Sequence, residues 1–231
     1  SITVAVACAM AGMIAGCITV TGLASKLISG VIAISSAIPN PTLSLLLALF
    51  LTMLCCIVLG MGVPTTANYC IMASTCAPIL ITIGVPKMAA HFFVFYFGIV
   101  ADITPPVALA AYAGSAIAKS DPMKTGINAT KLAIAAFIIP YVFVLSPVLL
   151  MINATPLTVL MSLITALIGM IGLSASMIGC FLTRLNKFER LLMFIGGLLM
   201  IDPGTLTDII GIIILGGVFV LQRRKCKMEK A

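Results

Sequence analysis

The apolar run LSLLLALFLTMLCCIV, Leu43 to Val58, is followed after a short gap by a second, CIMASTCAPILITIGV, Cys70 to Val85. Either could cross a bilayer as helix. Between them stands LGMGVPTTANY, Leu59 to Tyr69, with two glycines, a proline, two threonines and an asparagine. In lipid the backbone must satisfy its own hydrogen bonds, so a break at membrane depth survives only when buried in protein or lining a wet cavity. This interruption restricts the chain to few architectures.

The rest of the composition fits hydrocarbon. Of 231 residues, 62% are hydrophobic and only 8% charged, with a mean hydropathy of +1.29, against about a quarter charged in a soluble domain. The expected class is an all-α polytopic membrane protein, because an open strand cannot satisfy its backbone in lipid. No basic n-region marks a cleavable signal peptide. The start at Ser1, directly in apolar sequence, fits a piece of a longer polypeptide. Of eight cysteines, all but Cys226 lie in apolar segments, where free cysteine behaves as a small hydrophobe. Cys55-Cys56 lacks the second ligand pair a metal site needs. The net charge of +7 marks no nucleic-acid partner, because its basic residues stand beside apolar segments and act as topology determinants.

Five regions follow. Residues 1–42 hold a transmembrane helix, about Ile2 to Leu23, and a loop ending in the polar patch SSAIPNPT. Residues 43–86 form a hairpin around the interruption, closed by a turn at GVPK. Residues 87–120 make a transmembrane helix broken at DITPP, Asp102 to Pro106. Residues 121–156 start with Asp121 as N-cap and Pro122 at the first helical position, then cross the membrane. Residues 157–231 give one more span, two short segments and a basic tail, QRRKCKMEK.

Lysine and arginine set the orientation. With the Lys119–Lys131 loop in the cytoplasm, Arg184, Lys187 and Arg190 return inside two spans later. The tail with Arg223, Arg224, Lys225, Lys227 and Lys230 is also inside if Leu191–Ile201 and Ile209–Leu221 form a hairpin that does not fully cross. Eleven of the thirteen basic residues are then cytoplasmic, leaving Lys26 and Lys87. The count works if the arms around GMGVPTT dip in from outside as a re-entrant hairpin, or if both cross fully. The short first arm and the breaker at its end favour re-entry.

Two clusters carry the candidate chemistry. Gly60, Gly62 and Pro64 loosen the backbone of the first, and Thr65, Thr66 and Asn68 add side-chain oxygens at the start of the next helix. In the second, Pro105 and Pro106 leave two carbonyls without helical donors, Thr104 adds a hydroxyl and Asp102 a carboxylate. An acid at membrane depth is by default a functional candidate, although Asp102 could equally cap the second half-helix. Paired discontinuous helices point to the site of a secondary transporter. Unwound carbonyls and hydroxyls suit a small hard cation such as Na⁺. The candidate ligands are Gly60, Gly62, Pro64, Thr65, Thr66, Asp102, Thr104 and Pro105. Half-helix N-termini suit an anionic substrate, with Thr66, Asn68 and Pro106 as candidate contacts.

Other features carry less. His91, the single histidine, has no partner acid in sequence, so packing is its plainer role. Asp202 and Asp208 flank a Pro-Gly turn and suit capping. No nucleophile–base pair, zinc motif or P-loop occurs, so neither an enzyme nor an ATP-driven pump is expected, and no organic cofactor.

GMGVPTTANY, with AAHFFVFYFGIVADITPPVALAAYAGSAIAKSDPMKTG after it, closely resembles the large membrane subunit of tripartite ATP-independent periplasmic (TRAP) transporters, in the branch where small and large membrane subunits are fused. The resemblance covers about Ser1 to Leu150 and keeps the order hairpin tip, TPP break, SDPMKTG loop. It implies the C-terminal half of an elevator-type Na⁺-coupled importer in the bacterial inner membrane, holding one re-entrant helical hairpin and one broken transmembrane helix. It also implies a periplasmic substrate-binding protein that delivers an organic anion, commonly a carboxylate. The family pattern has two such repeats and a small membrane subunit. The missing N-terminal repeat and small subunit are therefore expected partners, in the same polypeptide or another. A proton-coupled elevator-type carboxylate transporter is the nearest rival, and a non-transporting membrane scaffold is the rival from another class.

Overall fold

The computed structural model describes residues 9–10, 13–14, 16–17, 20–60, 63–105, 108–152, 154–201 and 204–228. The described part is helical, with no β-strand and a single isolated bridge between Cys180 and Arg184. Its helices are α1 (Leu23–Ser36), α2 (Pro41–Gly60), α3 (Thr65–Thr75), α4 (Ala77–Thr82), α5 (Lys87–Val100), α6 (Leu109–Ala118), α7 (Pro122–Leu132), α8 (Ile134–Leu145), α9 (Pro156–Ile178), α10 (Lys187–Leu199) and α11 (Thr205–Met228). Short 3₁₀ turns follow α5 at Ala101–Ile103 and α8 at Pro147–Leu150.

Among the described residues, four stretches are long and apolar enough to cross a membrane: Pro41–Gly60, Pro122–Leu145, Pro156–Ile178 and Leu206–Cys226. Large apolar side chains stand on the outside of these helices and their neighbours, among them Val58, Leu157, Ile213 and Ile117, the last 87% exposed. Such a surface is stable against lipid and not against water. The protein is an all-α polytopic membrane protein.

The helix boundaries have local causes. Asn40 accepts from the Thr42 and Leu43 amides (3.0 and 3.4 Å), ahead of Pro41 at the first position of α2. Asp121 accepts from the Lys124 amide at 2.8 Å, the capping expected from SDPMKTG. Gly84 takes a left-handed φ of 93° and closes the turn between α4 and α5. The loop expected between Leu23 and the polar patch is instead the helix α1. Gly22 starts it with a φ of 67°. The first expected span, Ile2–Leu23, lies mostly outside the described residues.

The chain divides into two compact units, Ser1–Thr130 and Lys131–Ala231. In the first, α2 doubles back through the tip into α3 and α4. Ala48 of α2 packs with Ile79 of α4 and Val31 of α1 at the base, while Gly60 and Asn68 meet at the tip. Helix α5 runs from base to tip beside both arms, with Phe93 and Phe97 buried and in T-shaped contact at 4.8 Å. The second apolar run, Cys70 to Val85, is not one helix: the arm is divided at Cys76, and Pro78 stands in the first turn of α4.

In the second unit α9, α10 and α11 form an antiparallel bundle held by glycine contacts. A Cβ on Gly197 would lie 2.8 Å from the Gly169 carbonyl and 2.8 Å from Leu173, and one on Gly211 would strike Met200. The sequence reading placed a short return segment at Ile209–Leu221 and a soluble tail after it. Helix α11 instead runs 24 residues, to Met228. Its continuation is anchored: Gln222 is fully buried and donates to Glu189 Oε2 at 2.8 Å, while Lys225 pairs with the other carboxylate oxygen. Gln222 also accepts from the Thr183 amide and hydroxyl, at 3.0 and 2.6 Å. A charged side chain stays near the bundle because its charge is paired.

The glycine contacts make a direct prediction. Gly197→Ala should lower thermal stability in detergent by about 1–3 kcal/mol, the range for overpacking. Gly216→Ala, where a Cβ meets nothing within 4 Å, should be neutral or stabilising. Both are read from the unfolding midpoint.

Candidate functional site

The tip of the hairpin and the break in α5 lie at the same level. Helix α2 ends at Gly60, whose carbonyl accepts a long bond from the Val63 amide, 3.4 Å. Pro64 is the N-cap of α3 and offers no side-chain cap. The first amides of α3 thus lack a side-chain partner at the positive end of the helix dipole. Met61 and Gly62 lie outside the described residues, so the expectation for Gly62 is left there.

One side chain joins tip to break. Asn68, 1% exposed, donates from Nδ2 to the Gly98 carbonyl of α5 at 3.0 Å. Its Oδ1 is buried and has no hydrogen-bond partner. Gly60 and Gly98 make room for it. A Cβ on Gly60 would sit 2.9 Å from Asn68 Nδ2, 3.0 Å from the Ala101 Cβ and 3.1 Å from the Gly98 oxygen, and one on Gly98 would sit 3.1 Å from Nδ2. Three helix ends therefore converge within van der Waals distance.

Beyond Gly98, α5 tightens into the 3₁₀ turn at Ala101–Ile103 and Thr104 becomes extended, φ −104° and ψ 135°. The buried Thr104 hydroxyl donates back to the Val100 carbonyl at 2.9 Å, with a longer contact to Ala101 at 3.3 Å. Its proton is used within its own turn, and its lone pairs remain as acceptors. Ala108, fully buried, starts α6 in the left-handed region at φ 35°, where a residue with a Cβ costs about 1–2 kcal/mol. Asp102 is half-buried beside this turn. Pro106 lies outside the described residues.

The expected residues divide accordingly. Gly60 and Asn68 meet the end of α5, with Ala101 beside them, and Thr104 and Asp102 belong to the turn that continues it. Thr65 and Thr66 are exposed on the first turn of α3, next to Pro64. Among the described residues no group of three histidine, cysteine, aspartate or glutamate side chains gathers. A cation here would be held mainly by carbonyl, hydroxyl and amide oxygens, with Asp102 the one carboxylate among the expected ligands.

Sequence reasoning missed several contributors. Gly98 is one of nineteen glycines, and nothing in its neighbourhood marks it as the partner of Asn68. The far side of the break is braced by α7. Thr130 donates to the Gly126 carbonyl at 3.0 Å and reaches the Ile103 carbonyl at 3.4 Å. A Cβ on Gly126 would lie 3.2 Å from Pro105. His91 has a partner after all: its Nδ1 is 3.1 Å from the Tyr69 hydroxyl, and Tyr69 also meets Phe95 edge-on. This fits the packing role expected of it.

A hairpin tip set against a broken helix, in a chain with several candidate spans, defines a polytopic membrane protein of the discontinuous-helix type. The chain belongs to the tripartite ATP-independent periplasmic transporter family, as its DctM component: the family model matches residues 1–158. It is a TRAP-type large membrane subunit, of a family of secondary transporters and not of enzymes. Comparison with curated proteins and with solved structures gave no match.

The Asn68 brace can be tested by stability alone. Asn68→Ala removes the side-chain donor to the Gly98 carbonyl and should cost about 1–3 kcal/mol. Thr65→Ala, at an exposed position, should stay within about 0.5 kcal/mol. Unfolding of the two variants side by side checks this.

Proposed function

We propose that the chain forms part of a Na⁺ symporter that imports a small organic anion, a carboxylate, by an elevator movement of the hairpin and broken helix. The observation that carries this reading is the meeting of Gly60, Asn68 and Gly98 at one level, with the Asn68 carbonyl oxygen buried and unpaired. An oxygen left without a donor in low dielectric is costly, and a small hard cation satisfies it.

Coupling ions would be held by the loosened backbone at Gly60, Gly62 and Pro64 with Thr65 and Thr66, and by Asp102, Thr104 and Pro105 across the break. The uncapped N-terminus of α3, with Thr66 and Asn68, and Pro106 opposite would face the substrate anion. Asn68 also suits the ion side, because its free oxygen is an acceptor. Re-entry of the hairpin is supported by the eleven-residue α3 and six-residue α4, neither long enough to cross alone. Helix α2 could cross by its length.

TRAP transporters work with a periplasmic binding protein and a small membrane subunit. This chain is proposed to do the same in the bacterial inner membrane, with a second hairpin-and-break repeat from the same or another polypeptide. The lysine and arginine distribution supports a cytoplasmic C-terminus.

The test is uptake by the complete assembly in proteoliposomes. Transport should require an inward Na⁺ gradient and fall by roughly tenfold or more, about 1.4 kcal/mol, in Thr104→Ala. Uptake driven by a proton gradient with Na⁺ absent would favour the proton-coupled rival. Unchanged uptake in Thr104→Ala would favour a scaffold.

A further inference from the structure

A cavity of about 380 Å³ lies wholly within the second unit, at the end of the bundle where α9 and α11 begin. Its volume is that of a small-molecule site, and far exceeds what a bare ion fills with ligands at 2.3–2.6 Å. The polar side chains among its lining residues all carry oxygen groups: the hydroxyls of Ser146, Thr158, Ser162 and Thr165 and the carboxylate of Asp208. Thr158, Ser162 and Thr165 follow the i, i+4, i+7 spacing that puts them on one face of α9. Among the described residues no lysine, arginine or amide side chain lines the cavity.

The hydroxyls are mainly acceptors. Thr158 donates to the Thr155 carbonyl at 2.8 Å and already accepts from the Thr155 amide at 3.0 Å, and Thr165 donates to the Ser162 carbonyl at 3.2 Å, so their protons are engaged and Thr165 keeps the freer lone pairs. Ser146 is 3% exposed and its Oγ has no hydrogen-bond partner, a vacancy that buried hydroxyls seldom keep. The remaining wall is apolar, from Leu149, Met161 and Met200. A ligand that fits must donate hydrogen bonds, tolerate or complement a negative charge, and bring carbon surface. Anions meet Asp208 and are disfavoured.

We propose that this cavity binds an alkylammonium group, its N–H donors shared between Asp208 and the hydroxyls and its carbon chain against Met161 and Met200. The source is either a free amine or an ethanolamine lipid headgroup. This site is separate from the proposed Na⁺ site and does not depend on transport. Most of it lies past the residues the transporter family model matches.

The test uses the full chain in detergent, titrated calorimetrically with n-hexylammonium and with neutral n-hexanol. Hexylammonium should bind more tightly. Asp208→Asn should weaken it by about tenfold, the loss of one charge-assisted bond, and change hexanol by less than about twofold. Equal binding of amine and alcohol, or amine affinity unchanged in Asp208→Asn, would overturn the proposal. Should that variant fail to fold, Ala166→Leu narrows the cavity without touching the acid and should abolish amine binding. Retained affinity there counts equally against the site. In nanodiscs, displacement of hexylammonium by phosphatidylethanolamine identifies the lipid source, and its absence the free amine. Displacement by phosphatidylglycerol instead would contradict an ammonium site.

Discussion

The bond from the Asn68 side chain to the Gly98 carbonyl is the contact on which the first unit turns. It crosses from the start of one helix to the end of another, over thirty residues of sequence. It can form only because Gly60 and Gly98 leave no Cβ in its way. Without it, the Asn68 amide would lose its partner and the Gly98 carbonyl its side-chain donor in an apolar interior. With it, hairpin tip and helix break share one polar core, and one oxygen is left over.

The same economy recurs at other buried hydroxyls of the first unit. Thr104 returns its hydroxyl to Val100, Thr75 to Ile71 and Thr52 to Ala48. Side-chain hydroxyls bonding to carbonyls of the preceding turn keep local bends satisfied without water. In the second unit the device is charge pairing: Glu189 accepts from the Asn186 amide, Gln222 and Lys225, and this holds the far end of α11 against α10. These positions keep internal partners, and the two buried side-chain atoms without a partner among the described residues, on Asn68 and Ser146, are the ones that draw functional readings.

Much of the architecture was legible because membrane helices obey strong local rules. The GVPK turn, the Asp121 cap with Pro122 and the two breaks each rest on residues that force backbone geometry wherever they stand. The pairing of the two breaks was legible as a pattern, but its chemistry was not. Asn68 was read as a substrate contact because it follows the tip. Its role as a brace depends on Gly98, and sequence spacing says nothing of which glycine a side chain will meet. Helix α11 was cut short because Gln222 and Lys225 looked like the start of a polar tail. Their partner, Glu189, is thirty-three residues from Gln222, beyond the reach of any periodicity argument. The cavity around Ser146 was invisible for the same reason, its oxygens being scattered over α9, α11 and the turn after α8.

In the proposed mechanism, hairpin tip and helix break form one ion-responsive site. Hydrogen–deuterium exchange read by mass spectrometry tests it directly, comparing Na⁺ with choline at equal ionic strength. Peptides covering 58–72 and 98–112 should both slow in Na⁺, together and over the same concentration range. Slowing in only one of them, or in neither, would contradict a shared site.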